Sequence, residues 1–199
     1  ASGQTFTIDQ GDPAVFFGSI SGDGGLLIRT GAQQLTLGGA NTYAGGTTLA
    51  EGTLVVHSSA SLGTGALTIA DGARLVVTSA GPTTIDTAIV LDGAARYFSA
   101  NDQTLSGAIT GVGSLNKTGG GTLTLTGVKA YAGGTTVTGG ALLVSGEIVS
   151  AALVQSGATL GGAGTVHDVT VAAGGTLAPG EGVGALPLAT FVALISSIH

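Results

Sequence analysis

Residues 117–144 read KTGGGTLTLTGVKAYAGGTTVTGGALLV, and residues 29–56 read RTGAQQLTLGGANTYAGGTTLAEGTLVV. The offset is 88 residues, and 15 of the 28 aligned positions are identical. Identities fall on Thr30/Thr118, Leu35/Leu123, Thr36/Thr124, Leu37/Leu125 and Gly39/Gly127, then on the block 43–48 against 131–136. Internal repetition at this scale decides the architecture before any single residue does.

Each copy has one grammar. In Thr122-Leu123-Thr124-Leu125-Thr126 the leucines share one side and the threonines the other, a period of two that marks a half-buried strand. A second apolar run, Ala141-Leu142-Leu143-Val144, follows a glycine corner at Ala132-Gly133-Gly134. No run is long enough for an ordinary helix. Leu35 to Leu54 is 19 residues, Leu54 to Leu75 is 21, and Leu123 to Leu142 is 19. A unit of roughly 20 residues, made of short strands and glycine corners, fits one coil of a parallel β-helix. One coil cannot bury its apolar face alone, so coils must stack. The reading is therefore an all-β solenoid.

The string K-T-G-G-G-T-L-T-L-T-G, followed by Y-A-G-G-T-T-V and A-L-L-V, closely resembles the passenger-associated transport repeat of bacterial autotransporters. Residues 157–166 and 175–180 resemble the segment that follows such repeats. The resemblance implies a right-handed parallel β-helix, secreted through the C-terminal outer-membrane β-barrel of the same precursor. It implies a stem that supports export and extracellular folding and displays an effector, on the surface of a Gram-negative bacterium or released from it. An adhesin that binds a host cell through the solenoid surface is the alternative. The first copy departs from the pattern where Gln33-Gln34 replaces Gly121-Thr122, which leaves its corner geometry open.

Composition agrees with an ordered solenoid. Glycine makes up 38 of 199 residues and charged residues only 8%, yet 43% are apolar and recur at strand spacing, which excludes a disordered low-complexity chain. Net charge is −6, with only Arg29, Arg74, Arg96, Lys117 and Lys129 basic; this lacks the broad basic footprint of a nucleic-acid binder. It also opposes simple attraction to anionic lipid. There is no cysteine, so neither a disulfide nor a thiolate metal site forms. Ala1-Ser2-Gly3-Gln4-Thr5 has neither the basic start nor the apolar core of a signal peptide, so an exported chain would begin upstream or be mature here.

Along the chain, residues 1–184 read as one stem, with repeats at about 20–56 and 107–144, a degenerate spacer at 57–106 and shorter coils from 145. The segment 185–199 is apolar, lacks glycine and breaks the rhythm, and is too short to span a bilayer. It reads as a truncated coil, a segment foreign to the solenoid, or a helix-like cap.

No residue set demands chemistry, so the expectation is a non-enzyme with no catalytic, cofactor or metal residues. His57-Ser58 and His167-Asp168 are sequence neighbours, and neighbours on a strand point to opposite faces rather than forming a triad. Asp9-Gln10-Gly11-Asp12 and Ser21-Gly22-Asp23-Gly24-Gly25 carry turn carboxylates but no repeated calcium motif. Gly111-Val112-Gly113 and Gly119-Gly120-Gly121 precede no helix and lack a phosphate-loop lysine. Asn116-Lys117-Thr118 matches a glycosylation sequon without further support. Tyr43, Tyr97, Tyr131, Phe16 and Phe17 are the available sugar-stacking rings, although the equivalent positions of Tyr43 and Tyr131 favour a structural corner role. The chain is expected to be a monomer.

Overall fold

Short alternating runs become short strands, and the corners between them turn the chain back onto itself. The computed structural model describes residues 4–9, 11–180 and, as strand backbone, 188–193. Among these residues there is no α-helix, only a single 3-10 turn at Ser59–Leu62. All strand pairings among the described residues are parallel, between a strand and the one about 20 residues later. The result is a parallel β-helix of about nine turns, with one sixteen-stranded and one six-stranded sheet.

Three faces wrap a single apolar column. The first face runs from Thr5–Asp9 through Leu67–Ile69 and Ile89–Leu91 to Glu147–Ile148. The second runs from Ala14–Phe16 through Arg74–Val77 and Ser114–Thr118 to Ala152–Val154. These two belong to the larger sheet, because Gly25–Leu37 and Thr47–Val56 each bend across the shared edge. The third face, the smaller sheet, begins only at Thr83–Ile85 and continues to Thr176–Pro179. Before residue 83 that side is closed by the loop 38–46 and the turn at 59–62, whose Leu62 is fully buried and still fills the core.

The leucine spacings of the sequence are rung spacings. Leu35 pairs with Leu54 and Leu54 with Leu75 on the second face, and Leu123 pairs with Leu142 on the third. All five are essentially inaccessible. Burying a leucine side chain contributes roughly 1.5–3 kcal/mol, and each of these also packs against its counterpart in the next coil.

The two copies of the repeat keep the same internal pairing but occupy different faces. Leu35 lies on the second face, and the column Leu35, Leu54, Leu75, Tyr97, Lys117 descends four coils in 82 residues. Its repeat mate Leu123 comes 88 residues later, six beyond Lys117, and lies on the third face. Likewise 47–49 sits on the first face and Thr135–Val137 on the second. The second copy is thus the first one rotated by one face about the solenoid axis.

The coils tighten between about residues 137 and 171, and the last described step, Val166 to Leu188, is 22 residues again. Ile89 to Ile109 and Ile109 to Lys129 are 20-residue steps, whereas Ile148 to Val166 is 18 and Val137 to Val154 and Val154 to Val171 are 17. Within the atypical segment 185–199, Leu188–Ala193 is a strand laid parallel on Thr165–Val171. The rest of that segment, and residues 181–184, lie outside the described residues. Leu142→Ala, which removes the centre of the Leu123–Leu142–Leu160 column, is expected to cost about 2–5 kcal/mol. Leu153→Ala, on the half-buried outer side, should cost under half as much; equal shifts in denaturant midpoint for both would contradict the inward column.

Candidate functional site

Each coil must also close three corners, and at the corners carbonyl groups turn inward. Buried carbonyls without a donor are costly, so the interior carries polar groups placed to meet them. The corner after residue 29 in the first copy and its mate after residue 117 solve this with different chemistry. In the first copy the strand Gly25–Leu37 breaks register around Arg29, and fully buried Thr30 turns its hydroxyl toward Gln33 O at 2.9 Å and Glu51 O at 3.4 Å. Gly52 makes room for it: a Cβ there would lie 1.8 Å from Thr30 Oγ1.

In the second copy the mates of those two carbonyls, Gly121 O and Gly139 O, receive the ammonium of Lys117 at 2.8 and 2.9 Å. Gly119 O at 2.9 Å and Thr118 O at 3.3 Å complete the cage. Lys117 is fully buried in the second-face column, between Tyr97 and Val137, and among the described residues no carboxylate pairs with it. Burial pulls its pKa down to about 8. The glycine run 119–121, which the sequence sets aside as a phosphate loop, presents carbonyls to a cation inside the solenoid.

Position 129 repeats the theme. Lys129 is fully buried on the first face between Ile109 and Ile148, its ammonium donates to Gly107 O at 2.6 Å, and burial lowers its pKa. Its mate in the first copy, Asn41, is buried too and bridges neighbouring coils, accepting from Ile20 N–H at 2.8 Å and donating to Ser61 O at 2.7 Å.

The tyrosines lie inside. Tyr43 and Tyr131 are buried, and each shares a hydrogen bond with the threonine four residues on, Thr47 and Thr135. Thr47 donates onward to Leu62 O at 3.1 Å, so Tyr43 is the donor of its pair. Tyr131 occupies a column whose previous rung is Gly111, which leaves space for the ring; Gly111 has φ +112° and a Cβ there would meet Leu91 O at 2.2 Å. Tyr97 donates to Gln103 Oε1 at 2.6 Å, and Gln103 donates to Val77 O at 2.7 Å. The corner role of Tyr43 and Tyr131 stands, but none of the three tyrosines is a stacking surface for a sugar. Phe16 and Phe17 are exposed near the N-terminal end, where Phe17 stacks on His57 with ring centroids 6.4 Å apart.

The other candidates stay apart. His167 Nε2 lies 3.6 Å from Glu147 Oε1 one coil earlier, with both side chains well exposed, and His57 contacts Phe17 rather than an acid. Asp9, Arg29 and Glu51 occupy successive rungs of one corner and line a polar hollow with Thr30. Asp12 and Asp23 are exposed turn residues. Among the described residues, no three His, Cys, Asp or Glu side chains gather as a metal site would need. Asn116 faces outward on its strand and accepts from Thr138 Oγ1 at 3.3 Å.

Sequence reading missed the buried lysines. The signal was present: in Ser114-Leu115-Asn116-Lys117-Thr118, Lys117 shares the parity of Leu115 and so points inward.

A family model of the passenger-associated-transport-repeat matches residues 27–56 and 115–144. No curated protein and no solved structure matches the chain significantly.

The buried groups give stability a definite pH dependence. Unfolded Lys117 keeps its proton to pH 10.5, whereas in the fold it loses it near 8. The unfolded chain thus binds more protons between those values, and stability rises with pH across them. Burial moves the tyrosines the other way: Tyr131 rises from 10.0 to about 12, and Tyr43 and Tyr97 are raised as well, so stability falls above pH 10. Chemical denaturation from pH 7 to 11 should therefore show a maximum near pH 10. Lys117→Met should lessen the rising limb, to which Lys129 also contributes, and leave the fall; an unchanged rise in that variant would remove Lys117 as a source.

Proposed function

We infer that this chain, which carries two passenger-associated-transport-repeats as an autotransporter passenger does, is the β-helical stem of such a passenger. One observation carries the reading: both repeats lie within one solenoid, and each supplies strands and corners that complete coils. The stem supports export and extracellular folding and displays an effector outside the cell. Its partner is the C-terminal outer-membrane β-barrel of the same precursor, and its place is the surface or surroundings of a Gram-negative bacterium. On this reading the chain is a structural element and not an enzyme. Among the described residues, its interior is filled by apolar columns and corner hydrogen bonds, and the titratable groups are either buried inside or scattered outside.

A stem that folds coil upon coil benefits from a firm end on which later coils assemble, because each coil contacts only its neighbours. The coils of about 107–180 supply it: the steps between 137 and 171 shorten to 17–18 residues, and all three faces carry strands there. The N-terminal coils lack strands on the third face and leave Phe6, Val15 and Phe17 exposed. Display of a reporter tests the role directly. The chain is placed between the reporter and an outer-membrane barrel, with and without residues 107–144. Surface reporter should drop several-fold on deletion, and undiminished display would count against the stem.

Limited proteolysis of the isolated chain should trim the N-terminal coils first and leave a core spanning about 107–180. N-terminal sequencing and mass analysis of the resistant fragment would show this. A core drawn from residues 4–100 instead would reverse the proposed direction of assembly.

A further inference from the structure

The basic residues divide sharply between inside and outside. Lys117 and Lys129 are fully buried, so outward positive charge comes from three arginines only. Arg29 stands between Asp9 and Glu51 on successive rungs. Arg74 and Arg96 are different: they are direct register partners on adjacent rungs of the second face, both pointing outward. Like charges placed directly opposite destabilise a sheet. Among the described residues the one ion pair joins His167 and Glu147, so neither arginine has a carboxylate partner. The nearest acids in sequence, Asp71 and Asp92, belong to the preceding turns, and Asp71 is engaged by the Ala94 N–H at 2.9 Å.

Three further features give this pair a shape. The next rung below Arg96 is Asn116, whose Oδ1 is occupied by Thr138, leaving its amide N–H groups as outward donors. Arg74 is held in place, its guanidinium lying 4.8 Å over the ring of Phe98. On the same face Val55, Val76 and Phe98 stack in register beside the donors, with Val55 and Val76 buried and Phe98 beneath Arg74, which gives the donor column a firm base. We propose that Arg74, Arg96 and Asn116 form a binding surface for a linear acidic polysaccharide lying along the solenoid axis.

The periodicity selects this partner. Rungs recur about every 4.8 Å, whereas same-side groups of an extended peptide recur about every 6.6 Å. An extended sugar chain advances by about one rung per ring, so successive acidic groups meet successive donors. Guanidinium donors form charge-assisted hydrogen bonds to carboxylate or sulfate oxygens. Nucleic acid needs a broad basic footprint, and this face offers only the stacked pair Arg74 and Arg96. This surface is independent of the stem reading and would operate whether or not the chain displays an effector.

The test uses the whole chain with dextran sulfate, neutral dextran and poly-glutamate of matched charge, at two salt concentrations. Binding to dextran sulfate is expected, weakening with salt, with neutral dextran and poly-glutamate bound at least tenfold more weakly. Arg74→Gln and Arg96→Gln should each reduce dextran sulfate affinity by about tenfold, whereas Arg29→Gln should leave it unchanged. All three lie on the outside, so folding is checked by an unaltered denaturation midpoint. Failure to bind dextran sulfate, equal affinity for poly-glutamate, or unaltered binding by the Arg74 and Arg96 variants would each overturn the proposal.

Discussion

Everything in this molecule depends on parallel hydrogen-bonded stacking in register. A strand in a coil satisfies its backbone only through the coils before and after it, so the outline of one coil is imposed on the next. In-register stacking also puts a residue directly on its counterpart about 20 positions on. Leucine then stacks on leucine, as in Leu35–Leu54–Leu75 and Leu123–Leu142–Leu160, and one columnar core forms without tertiary folding in the ordinary sense. So few charges suffice because the ladders meet the polar demand of the backbone.

Backbone bonds between coils continue through many corners, as from Gly133 N to Gly113 O at 3.0 Å, but some corner carbonyls turn inward, and there the interior chemistry becomes particular. Repeat-equivalent carbonyls are met in one copy by the Thr30 hydroxyl and in the other by the Lys117 ammonium. A buried ammonium without a carboxylate is usually unfavourable. Here four carbonyl dipoles surround it, and its lowered pKa registers what desolvation still costs. The choice between hydroxyl and ammonium follows local shape. Where the first copy bulges at Arg29 to Gln34, the threonine itself reaches the corner; where the second copy runs regular as Ser114–Thr118, the longer lysine must reach from the column.

Much of this was legible in sequence. The 19- and 21-residue leucine intervals are the rung steps themselves, and the period-two runs are the strands, because parity and stacking are local rules. The shorter coils after residue 145 were visible for the same reason. Two features were not legible from composition or motif. Lysine is read as a surface residue by default, and only the parity of Leu115 and Lys117 betrays its direction. The angular position of each repeat was hidden as well, because it depends on the sum of every coil length between the copies, and a few residues distributed over the spacer 57–106 shift it. The sequence leaves 185–199 open between a truncated coil and a cap, since the segment lacks the glycine corners that flag the other coils; the strand at Leu188–Ala193 lies within it.

That hidden angle bears on function. A repeat that formed a ligand site would need its outward residues aligned along one side. Here four coils take 82 residues and the repeat takes 88, so the copies face different directions. What the copies share is inward and internal: the Leu-x-Leu column, the Tyr-to-Thr hydrogen bond and the carbonyl corner. The repeat is therefore a device for making a coil, indifferent to which side it occupies, which is what a stem requires. Outward character is free to vary between the copies, and the stacked pair Arg74 and Arg96 arises in the spacer, outside both of them. Coil formation thus rests on both copies, while the two arginines of the proposed surface belong to the spacer and only Asn116 is shared with the second copy.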